Sequence, residues 1–146
     1  MSVFDNVPLI AAVVGNVVAQ LIKVLLVLGT ERRWAPERLL ETGGMPSSHS
    51  ASVAALATAV GVIHGWGHPY FALAAVFGSI VMYDATGIRR AAGQQAALIN
   101  DLVEELGHLF DEGFQPQALK TLLGHTYPQV VVGAFVGVIT GFVVAR

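Results

Sequence analysis

Apolar residues fall in four blocks along the chain. The first runs from Val7 to Leu28 and is broken only by Asn16, Gln20 and Lys23. The second, Ser50 to about Gly65, is short and rich in Ala and Val; the third runs from Pro69 to about Ala85, and the fourth from Pro128 to Ala145. A bilayer-spanning helix needs roughly 17–25 mostly apolar residues, so the pattern predicts about four transmembrane helices. Gly133, Gly137 and Gly141 recur at a spacing of four in the last block, which lets helix backbones approach closely in lipid. The segment from Gln94 to Leu123 has a different character. Ala97, Leu98, Asp101, Leu102, Glu105, Leu106, Leu109 and Phe110 keep a helical rhythm with acids interleaved. It is too charged to span, and predicts an amphipathic helix on the membrane surface, breaking near Gly113, with a short helix from Pro116 to Leu123. The expected fold is all-α: an integral membrane helical bundle with one interfacial helix, in a single domain over residues 1–146.

Composition supports this reading. The chain is 54% hydrophobic and 12% charged, against about 25% charged for a typical soluble domain. A buried core helix in a soluble bundle would account for the second block alone, not for four such blocks in 146 residues. A net charge of −2 gives no electrostatic reason for a nucleic-acid partner. Without cysteine there are no disulfides, thiolate chemistry or cysteine-based metal sites. The first block is too long for the apolar region of a cleavable leader, and no Lys or Arg precedes it.

If the spans alternate, residues 29–48 and 87–127 share one side of the membrane, and the termini share the other with the loop from His64 to His68. Arg32, Arg33, Arg38, Arg89, Arg90 and Lys120 fall on the first side and only Arg146 on the second. The positive-inside rule then puts the polar side in the cytoplasm. The expected location is the inner (plasma) membrane, multi-pass, with the active face cytoplasmic.

Three polar clusters gather on that face. Gly43-Gly44-Met45-Pro46-Ser47-Ser48-His49-Ser50 reads as a flexible approach to a helix, with Pro46 suited to the first turn and hydroxyls following. Helix N-termini bind phosphate through unpaired N–H groups, and His49 is in place to donate a proton; the plain alternative is a capped helix start with an incidental histidine. In the second cluster Asp84 precedes Arg89 and Arg90. Arginine is the preferred bidentate partner of phosphate, while the plain alternative is a topology anchor with Asp84 as its ion-pair partner. His125 opens the fourth span in the run Leu123-Gly124-His125-Thr126-Tyr127-Pro128-Gln129. Lys23 either snorkels to the interface or reaches a bound phosphate. His64 and His68 are four apart, but on a loop containing Gly65 and Gly67 they are not expected to share one helical face, so no metal site is expected there; no cofactor is expected.

Gly-Met-Pro-Ser-Ser-His-Ser resembles the Pro-Ser-Gly-His motif of the type 2 phosphatidic acid phosphatases, relatives of the vanadium haloperoxidases. From Gln20 and Lys23, through Asp-Ala-Thr-Gly-Ile-Arg-Arg, to Leu-Leu-Gly-His, nearly every segment resembles the divergent, mostly bacterial and plastid branch of that family. The resemblance implies a metal-independent phosphomonoesterase: one His attacks phosphorus, an Asp four residues later orients it, a second His protonates the leaving oxygen, and Lys, Arg and backbone amides hold the phosphoryl group.

The chain departs from the family pattern in three places. The family's third motif places the nucleophilic His six residues after an Arg, but six after Arg89 is Gln95 and six after Arg90 is Ala96. His125, followed by Gln129 and Gly133, looks like the second half of that motif, so we read it as split, with the amphipathic segment inserted. The orienting Asp is replaced by Gln129, whose carbonyl accepts from an imidazole N–H but brings no charge. Lys23 is followed by Arg32 and Arg33 at nine and ten residues, with either able to fill the family's Arg role. The expected catalytic set is His125, His49 and Gln129; the expected phosphate-binding set is Lys23, Arg32, Arg33, Ser47, Ser48, Arg89 and Arg90, with Asp84 a further candidate. The expected activity is hydrolysis of a membrane lipid phosphate of the phosphatidylglycerol phosphate or phosphatidic acid type through a phosphohistidine. Gln129 favours the rival reading, a catalytically silent membrane protein that binds anionic lipid headgroups. Small-residue faces permit a homodimer without requiring one.

Overall fold

The computed structural model describes residues 2–32, 34, 36, 43–107, 117–121 and 123–146. Among the described residues a short 3-10 turn at Val3–Asp5 is followed by five α-helices: α1 (Val7–Glu31), α2 (Ser48–His64), α3 (Pro69–Thr86), α4 (Ile88–Glu105) and α5 (Tyr127–Val144). Their boundaries follow local chemistry. Asn6 caps α1 by accepting from Leu9 N at 3.1 Å, with Pro8 in the first turn. Ser47 caps α2 through Ser50 N, and His68 Nδ1 caps α3 by accepting from Tyr70 N at 3.2 Å. Such caps satisfy N–H groups that the helix leaves unpaired. Because Ser47 is the cap, Pro46 precedes the helix, outside the first turn expected for it; the Met45–Pro46 peptide is cis.

α2 is the centre of the bundle, touching α1, α3 and α5. The contacts are made by small residues. A Cβ on Gly133 would run into the Ser47 backbone, one on Gly137 into the Ala51 carbonyl, and one on Gly141 would lie 2.7 Å from Ala55 O. From the other side Gly15 of α1 meets the same helix, where an added Cβ would stand 2.9 Å from Ala51 O. Along α1, buried Ala11, Gly15, Ala19 and Lys23 alternate with exposed Val13, Val17, Leu21 and Leu25. Small residues face in and large apolar ones face out, the arrangement expected where lipid rather than water surrounds a bundle. Among the described residues, three stretches are long and apolar enough to cross a membrane: Val7–Thr30, Pro69–Glu105 and Tyr127–Val144. The 17 residues of α2 span about 26 Å at 1.5 Å per residue. The fold is an all-helical membrane bundle.

Two expectations about the polar segment are corrected. The amphipathic helix starts at Ile88, not Gln94, because α3 ends at Gly87, whose N–H bonds Tyr83 O at 2.9 Å, and α4 starts at once. It ends at Glu105, before the expected break at Gly113, which lies outside the described residues together with Leu109, Phe110 and Pro116. The short helix expected from Pro116 to Leu123 is not formed, since residues 117–121 and 123 are non-helical. The Asn100 side chain takes both backbone groups of Leu119, donating to its oxygen and accepting from its nitrogen at 2.9 Å each. That strap lies against α4 at Gly93, where a Cβ would stand 2.7 Å from Thr121 O.

Candidate functional site

The strap delivers His125. Gly124 takes φ +77, a left-handed conformation open to glycine; a Cβ there would strike the Arg90 backbone and stand 2.9 Å from Ala85 O. His125 N–H then bonds Ala85 O at 2.9 Å, which pins the residue to the end of α3. Its side chain is 3% exposed.

Gln129 sets the imidazole. It is the third residue of α5, and its Oε1 accepts from Thr126 N at 3.0 Å, the reaching-back half of a Thr-x-x-Gln capping box. The same oxygen faces His125 Nδ1 at 3.3 Å. An oxygen already accepting from a backbone N–H is an acceptor for the ring too, so Nδ1 carries the proton and Nε2 the lone pair. His125 Nε2 is buried and has no hydrogen-bond partner among the described residues. Burial is the largest influence holding the His125 pKa below the ordinary imidazole value. Hydrogen bonding to Gln129 opposes it, while positive charge on His49 and Lys23 adds to it. The ring is therefore neutral at pH 7.

His49, in the first turn of α2, stands with its ring centroid 6.2 Å from that of His125. The two histidines line one cavity of about 220 Å³ with Ile80, Val81, Asp84, Ala85, Arg89, Leu123 and Gly124. Arg89 Nε donates to Asp84 Oδ2 at 2.6 Å. A second cavity, of about 320 Å³, shares only Leu123, Gly124 and His125 with the first; Gly44, Arg90, Gln94, Thr126 and Gln129 are among its other walls. Neighbouring residues on a helix point about 100° apart, so Arg89 and Arg90 serve opposite sides of the His125 partition. Lys23 is 2% exposed and its side-chain carbons approach Gly44, itself at φ +87.

Other expected site residues lie elsewhere. Ser47 and Ser48 are buried and line neither cavity. Ser47 Oγ accepts from Ser50 N and from Ser50 Oγ, and its N–H bonds Gln129 O at 3.0 Å, tying α2 to α5 directly behind the site. Arg32 ends α1 exposed, at φ 51, and lines neither cavity. Arg33 and Arg38 lie outside the described residues. Sequence reasoning overlooked Asn100 and Gly93, which seat the strap, and the second role of Gln129. The Thr-x-x-Gln pattern was available for the last; nothing local marks Asn100.

Residues 4–140 match the divergent PAP2 family. The chain is 40% identical over 154 aligned positions to an uncharacterized membrane protein of Bacillus subtilis (strain 168), YuiD, with 99% of this chain and 98% of that one covered. No solved structure matches. On the match over residues 4–140 and the relative aligned along nearly its whole length, the chain belongs to the divergent PAP2 family.

Proposed function

We propose that the protein is a lipid-phosphate phosphatase working through His125. The observation that carries this is a buried neutral imidazole whose lone-pair nitrogen has no hydrogen-bond partner among the described residues, with a second imidazole 6.2 Å away and an arginine lining the same cavity. Nε2 of His125 attacks phosphorus while the ester P–O bond breaks, and His49 delivers a proton to the departing oxygen. Water then takes the place of that oxygen, His49 receives its proton, and the P–N bond breaks to release inorganic phosphate. Arg89 meets the phosphoryl charge in the same cavity, and Lys23 adds positive charge nearby. Gln129 holds the ring in the reactive tautomer without the charge that an Asp would bring.

The apolar walls of the cavity support a lipid leaving group. Ile80 and Val81 belong to α3, and Ile80 continues an outward-facing apolar strip with Leu73 and Phe77. A phosphomonoester such as phosphatidic acid or phosphatidylglycerol phosphate fits that lining. The excess of arginine on this face favours a cytoplasmic site in the inner membrane. Release of inorganic phosphate from detergent-solubilised phosphatidic acid or phosphatidylglycerol phosphate, lost in His125→Ala, is the expected result. The second reading, a silent binder of anionic headgroups, draws on Gln129, and retention of these lipids without turnover would favour it.

A further inference from the structure

Asp84 is an acid in a cavity we assign to phosphate, where its charge works against an anionic ligand. Stability does not account for it. The side chains of Asp84 and Arg89 are 32% and 58% exposed, and an ion pair that open to solvent adds little to folding. Its geometry is more informative. Asp84 sits in the last turn of α3, Arg89 at the start of α4, and the bond crosses the Gly87 joint between them. The carboxylate accepts from Nε, the one guanidinium nitrogen on the stem side. Both terminal amino groups remain for a fork-like grip on phosphoryl oxygens. The adjacent Arg90 turns to the other cavity and has no ion pair among the described residues.

We infer that Asp84 is a positioning residue acting through Arg89: it holds the guanidinium side-on so that its two terminal nitrogens address the phosphoryl group between His49 and His125. This rests on the phosphate site proposed above. An untethered, half-exposed arginine samples many rotamers, and its ordering then has to accompany each binding event. Asp84 carries out that ordering beforehand. The anionic ligand tolerates the carboxylate because the negative charge is already neutralised by the nitrogen it holds.

A double-mutant cycle tests this, with orthovanadate as a phosphate-shaped probe binding the detergent-solubilised protein and lipid phosphate turnover as the second readout. Asp84→Ala is expected to weaken orthovanadate binding and raise KM by up to about tenfold, the scale of ordering one long side chain on binding, with a smaller change in kcat. Asp84→Asn keeps a carbonyl acceptor for Nε–H and recovers most of the loss. In an Arg89→Ala background, Asp84→Ala adds nothing, because its route of action is gone. Multiplying losses in the double variant, or an Asp84→Asn as damaged as Asp84→Ala, would overturn the inference, since the acid would then act by charge or proton transfer. Weakened binding in Arg89→Ala beside an unaltered Asp84→Ala defeats this inference alone. Unaltered orthovanadate binding in Arg89→Ala defeats the placement of the phosphate site itself. Because the probe needs no turnover, these outcomes stay distinct even in a catalytically silent protein.

Discussion

Each end of the bundle carries a close pair of histidines, and the function proposed above uses only one of them. At one end the His49 and His125 rings are 6.2 Å apart; at the other, His64 and His68 are 5.6 Å apart. The second pair is the closer of the two, although the loop with Gly65 and Gly67 that joins them is not a helical face. Proximity therefore decides nothing. His64 is exposed and His68 half-buried, and His68 spends its Nδ1 lone pair on capping α3. His125 is buried, has its proton fixed on the Gln129 side, and faces a cavity with an arginine in it. What sets the proposed reactive pair apart is an unspent lone pair, removed from water and met by fixed charge.

The largest effect should come from His125→Ala, which removes the nucleophile: turnover and any acid-labile phosphoenzyme both vanish, read by phosphate release and by labelling with radioactive substrate. Turnover equal to wild type would dissolve the contrast between the two ends. His49→Ala should slow phosphoenzyme formation by about 10²–10⁴-fold, the usual contribution of a general acid. An activated aryl phosphate, whose leaving group needs no proton, should recover much of that loss; equal losses on both substrates would remove His49 from the acid role.

The pH profile sharpens the comparison further. His125 must be neutral to attack, and burial lowers its pKa, so it stays neutral down to a lower pH than a free imidazole. The acid limb of kcat/KM should therefore fall below about pH 6.5, the ordinary imidazole value. Gln129→Glu keeps the reach needed for the helix cap and adds a negative charge beside Nδ1, which favours the imidazolium. The acid limb should then move to higher pH; a limb that moves down or stays would show that Gln129 does not govern this ring. The smallest effect belongs to the other end. His68→Ala should leave turnover intact and cost about 1 kcal/mol of stability through the lost α3 cap, measured by thermal unfolding in detergent.

The helices were legible because each is specified by nearby residues. Apolar blocks set the spans, and Asn6, Ser47, His68 and Thr126 mark their starts within a residue or two. The four-residue spacing of Gly133, Gly137 and Gly141 announced the seam against α2. The strap was misread as a helix because what holds it is remote: Asn100 satisfies the backbone of Leu119, nineteen residues later. Ser47, expected at phosphate, was drawn instead into the α2 cap and the tie to α5.

The sequence by itself determined that this is a membrane bundle of the divergent PAP2 kind, because hydropathy, small-residue spacing and the motifs are local properties of the chain. Whether His125 meets His49, and which arginine joins them, was decided only by tertiary structure. Arg89 and Arg90 are adjacent and chemically identical, yet they address different cavities. The rotation of α4 chooses between them. That rotation is set by the Gly87 joint, by the strap seated on Gly93 and by the close approach of Gly124 to Arg90, contacts between residues that a reading of local pattern treats separately.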